Sequence, residues 1–348
     1  MEIKKCAYFG KCGGCQIQPP TQEEYLKQKE EFLSEILKNI PYQKLNPIIT
    51  FPTGIRRKAT FKIDYGCNIG FFKEKSNDII PILKCKQFTD EINNLLIPLK
   101  KLCKSFVKRS EGNIIITQTD NGLSIHFDNI NLMQTDIHKV KEFAEQYNIL
   151  RITSGNAEIF KKEEPIILLN NIKIPYPPKT FLQPSKQSEE KIIETVLKML
   201  SKKHYNKIAD IFSGLGLFSF YLKDYCNEIF ATDCDELAIK QLLKIAHSYH
   251  FNINAKTTDL FKHPIKSERL NDFDLIIIDP PRDGAKSQTN EIAKSNVNEI
   301  IYISCNPIAF KIDSKILIDS GYILKEITPI DQFTNTKHIE LVAKFQKN

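Results

Sequence analysis

The chain has 348 residues, of which 41% are hydrophobic and 26% charged, with nine cysteines. That length suggests two domains, and that balance is the balance of an ordinary globular protein. No apolar run approaches the ~20 residues needed to span a bilayer, and no apolar signal segment follows Met1-Glu-Ile-Lys-Lys-Cys6, so a cytoplasmic location without membrane association is expected. The net charge of +7 is unevenly placed: residues 1–180 hold 27 Lys and Arg against 20 Asp and Glu, and residues 181–348 hold 22 of each. A basic half beside a neutral half suggests a polyanion-binding module joined to something else.

Residues 1–20 read as irregular and rich in Cys and Gly, ending in Pro19-Pro20. They carry Cys6-x5-Cys12-x2-Cys15, and Cys85 follows in Ile82-Leu-Lys-Cys85. In a reducing compartment an odd set of cysteines points to metal ligands, catalytic thiols or small core residues rather than disulfides. Four thiolates suit a 4Fe–4S cluster or a structural zinc, and the spacing leaves both open. Gly10, Gly13 and Gly14 would let a loop wrap tightly round such a group. Cys67, Cys103, Cys226 and Cys234 have no partner pattern and read as packing residues.

Thr21-Gln-Glu-Glu24 is a capping box, and apolar residues at helical spacing predict an amphipathic helix over 22–39. From about 45 to 175 the pattern turns to strands, among them 59–63, 114–118 and 123–127, the last two joined by Asp120-Asn-Gly122. Arg56, Arg57 and Lys58 lead into the first of these and are candidates for phosphate contacts. Pro175, Pro177 and Pro178 mark a boundary, dividing a basic unit over 1–178, expected to bind a polyanion, from a second unit over 179–348.

After residue 180 helix and strand alternate. Strands are predicted at 207–211, 228–232, 274–279, 299–304, 322–327 and 340–346, with helices over 186–200, 235–247 and 307–318. Such alternation predicts an α/β fold with a doubly wound, mostly parallel sheet and ligands at the carboxyl ends of its strands. Asp210-Ile-Phe-Ser-Gly-Leu-Gly216 ends one strand and opens a helix. Gly214 and Gly216 would let the backbone approach a ligand there. Asp233 ends the next strand, where a carboxylate can accept both ribose hydroxyls of a nucleoside cofactor.

Asp279-Pro-Pro-Arg282 closes a buried strand, and the two prolines hold an active-site wall rigid. Arg282 stands where amino-directed methyltransferases place an aromatic, which argues against methylation of an exocyclic amine. Cys305 ends the next strand, before Asn306-Pro307 and a helix, where a thiol should gain thiolate character. Glu340 opens an apolar strand, where burial would raise its pKa and suit it to act as a base.

Together these pieces resemble the RNA uracil-carbon-5 methyltransferase family, which makes 5-methyluridine in ribosomal and transfer RNA. The resemblance spans nearly the whole chain. It is carried by Phe181-x-Gln183, Asp279-Pro-Pro-Arg-x-Gly284, Ser304-Cys-Asn-Pro307 and Asp331-x-Phe333-x-x-Thr336-x-His338-x-Glu340. It implies a class I, Rossmann-like methyltransferase domain that binds S-adenosylmethionine. Gln183, Asp233 and Asp279 would lie at the cofactor, joined by Asp210 and Gly214 of the glycine turn. Cys305 would be the nucleophile and Glu340 the base. The family's ribosomal members carry an iron–sulfur cluster at this cysteine spacing, so Cys6, Cys12, Cys15 and Cys85 would hold 4Fe–4S, with zinc the alternative. Two positions depart from the pattern: Ser185 stands for the usual Asn, and Thr334 for the usual Pro.

The expected partner is RNA, with 23S ribosomal RNA favoured over transfer RNA, and the expected state is a monomer. With Cys6 so near the start, no separate N-terminal RNA-binding barrel is expected ahead of it. The alternatives are a transfer-RNA 5-methyluridine enzyme and a non-catalytic RNA-binding protein on the same fold.

Overall fold

Buried runs of Ile, Val and Leu become the strands of two sheets in the computed structural model, which describes residues 6–105 and 111–347. The larger sheet has eight strands. Their order is Lys44–Leu45, Tyr322–Ile330, Glu340–Lys347, Glu299–Ser304, Leu275–Ile278, Tyr205–Ile211, Cys226–Asp233 and Ile253–Thr257. From Glu299–Ser304 to Ile253–Thr257 all neighbours are parallel, while Glu340–Lys347 runs antiparallel to both strands beside it.

Helices cover both faces, so strand residues alternate between two cores. Ile208, Ile277, Ile301 and Val342 face helices Lys186–Met199 and Glu236–Ser248. Ala209, Ile276, Ile300 and Ala343 face helices Gln22–Leu37, Lys286–Lys294 and Pro307–Asp319. This is the doubly wound α/β sheet that the alternation predicts, and it agrees with the class I methyltransferase domain that the resemblance implies. The predicted strands and helices stand within three residues of their observed ends. The edge strand Ile253–Thr257 and helix Lys286–Lys294 are additions, because polar residues interrupt their apolar patterns.

The second sheet has seven strands in the order Ile79–Pro81, Ile69–Phe72, Lys58–Ile63, Gly112–Thr119, Gly122–Asp128, Ile149–Ser154 and Ala157–Lys161. Helices Asp90–Cys103 and Gln134–Gln146 cover it, and Phe61, Ile116, Ile125 and Leu96 form its core.

The boundary drawn after residue 178 does not divide the two cores. Leu33, Leu37 and Ile40 pack into the core of the larger sheet, Lys44–Leu45 pairs with Tyr322–Ile330, and the hairpin Ile166–Leu169/Ile172–Pro175 joins the opposite face. The N-terminal helix begins as its capping residues predict: Thr21 Oγ1 accepts from Glu24 N at 3.2 Å.

That helix also carries a fully buried charge. Lys29 Nζ lies 2.7 Å from Asp331 Oδ1 and donates to the carbonyl oxygen of His338 at 2.6 Å. Tyr25 donates to Asp331 Oδ2 at 2.5 Å. Removing one partner strands the other charge without water. Lys29→Met should therefore cost about 3–5 kcal/mol of stability, read as a lower urea midpoint. Lys29→Met with Asp331→Asn should recover much of that loss, because no uncompensated charge remains.

Candidate active site

Parallel strands deliver their carboxyl ends to one edge of a sheet, and ligands bind there. Asp233 ends its strand at that edge, and Asp279 and Cys305 directly follow two adjacent strands, with Tyr205–Ile211 lying between these and the strand of Asp233. Glu340 reaches the same edge from the opposite direction, as the first residue of the antiparallel strand. The register pairs Ser304 with Leu341, and one further step sets Cys305 beside Glu340. A cleft of about 830 Å³ opens over them, lined by Gln183, Gly214, Asp233, Asp279, Cys305 and Glu340. Six of the seven residues expected for catalysis and cofactor binding therefore share one cavity.

The exception is Asp210. Its side chain is fully buried behind the glycine turn, where Oδ2 accepts from Ser219 N at 2.9 Å and Ser219 Oγ at 2.6 Å. Burial pushes this carboxyl up to about 7. It braces the turn and does not line the cleft. Gly214 and Gly216 also separate in role. Gly214 has φ +52° with open space where a Cβ would point, and its N–H donates to Asp233 Oδ2 at 2.9 Å. A Cβ on Gly216, at φ +85°, would meet Leu242 Cδ1 at 2.6 Å, so that glycine serves helix packing.

Asp233 Oδ1 accepts from Asp235 N at 2.8 Å, which fixes the carboxylate at the mouth of the turn. Gln183 Oε1 and Ser213 Oγ are buried without hydrogen-bond partners in the cleft wall. Buried polar atoms of this kind call for a partner, and a nucleoside cofactor with its amino-acid tail offers several. The residues present fit S-adenosylmethionine.

At the reaction end, burial first, then the charges of Glu340 and Asp279, push the Cys305 thiol up to about 12, against the lowering effect of Arg282. The lowered pKa expected from the helix start is thus reversed. Burial together with two carboxylates outweighs the guanidinium of Arg282. Burial and Asp279 hold Glu340 well above the usual carboxylate range, as expected, while a hydrogen bond from Gln332 lowers it. Burial and the nearby carboxylates Asp210 and Asp233 likewise raise Asp279. Arg282 Nη2 donates to His338 Nε2 at 2.5 Å across the cleft mouth.

The basic run Arg56–Lys58 does not present free phosphate contacts. Arg57 pairs with Glu189 at 2.5 Å and donates to the Gln183 carbonyl at 3.0 Å. Lys58 Nζ donates to the Thr180 carbonyl at 2.7 Å, and burial pushes its pKa down to about 8. Together they clamp the segment that carries Phe181 and Gln183. Arg56 lines the cleft with its guanidinium 5.6 Å from the Phe333 ring centre. The two departures from the family pattern find local uses: Ser185 caps helix Lys186–Met199 by accepting from Ser188 N at 3.1 Å, and Thr334 Oγ1 donates to Gln87 Oε1 at 2.6 Å.

Cys6, Cys12, Cys15 and Cys85 lie within one another's electrostatic reach. Among the described residues, however, no three Cys, His, Asp or Glu side chains are arranged to hold a metal ion. Cys12 Sγ accepts from Gly14 N at 3.4 Å and Cys15 Sγ from Gln87 Nε2 at 3.9 Å. Gly13, Gly14 and Gln16 of this loop line the cleft, which spacing alone did not reveal. No helix among the described residues is long and apolar enough to cross a membrane.

Comparison with known proteins agrees with this arrangement. Residues 162–347 match the family model described as tRNA (uracil-5-)-methyltransferase. An uncharacterized RNA methyltransferase of Mesorhizobium japonicum is 30% identical over 98% of this chain and 84% of its own length. A 23S rRNA (uracil(1939)-C(5))-methyltransferase of Photobacterium profundum is 25% identical over 98% of this chain and 80% of its own. Among solved structures, the Pyrococcus abyssi tRNA (uracil-54, C5)-methyltransferase in complex with S-adenosyl-L-homocysteine superimposes with a TM-score of 0.73. It is 22% identical, over 96% of this chain and 86% of that one.

The electrostatics of the cleft predict how Cys305 titrates. Its alkylation by iodoacetamide, followed by peptide mapping, should be slow near neutral pH and accelerate into the alkaline range. Glu340→Gln removes the second-largest cause of the raised pKa and should shift that rise to lower pH. A rate that levels off within the ordinary thiol range in the unmodified protein would contradict this account of the cleft.

Proposed function

The chain belongs to the tRNA (uracil-5-)-methyltransferase family, whose members methylate carbon 5 of uridine in RNA with S-adenosylmethionine, and from that premise we propose that it acts on 23S ribosomal RNA through a covalent Cys305–uracil adduct. The observation that carries this reading is the meeting of Cys305 and Glu340 at one strand edge, in one cleft. Carbon 5 of uracil is a weak nucleophile. Addition of the Cys305 sulfur to carbon 6 makes carbon 5 part of an enolate. S-adenosylmethionine supplies the electrophilic methyl group and a positive charge that favours the thiolate. Glu340 then takes the proton left on carbon 5, and elimination frees the Cys305 sulfur. Gln183, Gly214, Asp233 and Asp279 would hold the cofactor, with Asp210 bracing the turn from behind. The target uridine leaves its stack to enter the cleft.

Two lines support ribosomal RNA. Curated relatives from Photobacterium profundum and Vibrio parahaemolyticus are named for 23S ribosomal RNA. The excess positive charge lies within residues 1–180, which suits an RNA grip. The test uses 23S fragments and a transfer-RNA T-loop, each with 5-fluorouridine at the target. The 23S fragment should form an adduct that survives a denaturing gel and vanishes with Cys305→Ala. Glu340→Gln should methylate ordinary RNA once and stall as an adduct. Labelling of the T-loop alone would overturn the ribosomal assignment, and an adduct with Cys305→Ala would overturn the nucleophile.

The four cysteines would hold a 4Fe–4S cluster near the cleft, with zinc the alternative. Arg56 is the observation that fits such a group: Nε and Nη2 are buried without partners, and the guanidinium feels Cys15 and Cys85. The sulfurs of an anionic cluster would accept from those donors. Anaerobically purified protein should be brown, with broad absorbance near ~400 nm, and Cys12→Ala or Cys85→Ala should remove the colour. Stoichiometric zinc without iron would assign the site to zinc.

A further inference from the structure

We propose that Gln332 is a positioning residue for the carbon-5 deprotonation step, holding the Glu340 carboxylate toward the substrate and keeping it competent as a base. The inference rests on the reading of Glu340 as that base. Gln332 Nε2 donates to Glu340 Oε2, and both residues line the cleft. Among the described residues no other side chain donates to this carboxylate. The placement follows from the sheet. Ile330 pairs with Glu340 across the antiparallel ladder, and Gln332 follows two residues beyond the end of that strand, close enough for its amide to reach Glu340.

The base of this side chain is rigid. Asp331 is pinned by Lys29 and Tyr25, and its N–H donates to the Ile49 carbonyl at 2.8 Å. Thr334 is tied to Gln87. Gln332 itself is 3% exposed, so its amide has little room to leave Glu340.

An amide suits this task better than other side chains. The titratable and charged groups that face Glu340 are Asp279 and Cys305 from the neighbouring strand ends, with Arg282 and His338 at the cleft mouth. Burial and Asp279 disfavour the charged carboxylate, and the Gln332 donor opposes them. Gln332 Oε1 has no partner. After Glu340 has taken the proton, a turned amide can accept from the new O–H, so Gln332 pairs with the base before and after the transfer.

The test compares the unmodified enzyme with Gln332→Met, Gln332→Glu and Glu340→Gln. Adduct formation with 5-fluorouridine RNA needs the nucleophile but not the base, so it also reports that the fold is intact. Gln332→Met should form that adduct normally and keep its KM for RNA. Its kcat near neutral pH should fall about tenfold, the effect of a one-unit rise in the base's pKa. Because the active base is deprotonated, the acidic limb of its pH profile should move to higher pH, with activity recovering there. Gln332→Glu, which adds a like charge, should move the limb further. A Gln332→Met profile that coincides with the unmodified enzyme while Glu340→Gln stalls would overturn the role of Gln332 and leave the base in place. Adduct formation lost in step with kcat in both Gln332 variants would reduce it to a packing residue. Normal turnover by Glu340→Gln would remove the base reading, and this one with it.

Discussion

The buried pair between Lys29 and Asp331 is the constraint on which the reaction end of the molecule depends. It joins a helix near the start of the chain to the loop that precedes the last strand, and neither side chain reaches water. That loop carries Gln332, Phe333 and His338 and leads directly into Glu340. An ion pair without solvent is a weak source of net stability but a strong penalty against any other arrangement. Here it specifies where the loop sits. Asn335 N donates to the hydroxyl of Tyr25 at 3.0 Å, and the Asn335 carbonyl accepts from Gln16 N at 2.9 Å and Ile17 N at 3.0 Å. The N-terminal segment thus forms part of the scaffold of the cleft.

The same logic governs the cofactor end. The strand Lys58–Ile63 belongs to the smaller sheet, yet Lys58 at its start and Arg57 just before it hold the segment Thr180–Pro184 through backbone carbonyls and the Arg57–Glu189 pair. A helix and a short strand from the N-terminal region complete the larger sheet, and a clamp from the smaller sheet fixes the wall of its cleft. Closing such a cleft over a base and a sulfonium requires both halves to be in register, and these buried polar ties supply that register.

Within the cleft, low polarity produces opposite needs. The thiol of Cys305 and the carboxyls of Asp279 and Glu340 all resist ionisation there. Positive charge entering the cleft reverses that balance, because a cation stabilises each anion most strongly where water is excluded.

The sequence by itself determined the strand and helix pattern of the catalytic sheet, because burial on both faces writes Ile-rich runs such as Leu275–Ile278 between helical periods. It also determined the cleft residues at strand ends, since Asp233, Asp279 and Cys305 each follow an apolar run, where parallel strands must open onto ligand. Tertiary structure alone decided the rest. Asp210 carries the same side chain as Asp233 but sits behind the turn, a difference in direction that no spacing records. Arg57 and Lys58 read as phosphate contacts until their partners, more than a hundred residues away in the chain, were brought beside them. The pKa of Cys305 follows first from burial and then from carboxylates that other strands bring beside it, and Gln332 meets Glu340 only through the fold. Local chemistry is written locally, whereas the sign of a charge interaction depends on what folding places opposite it.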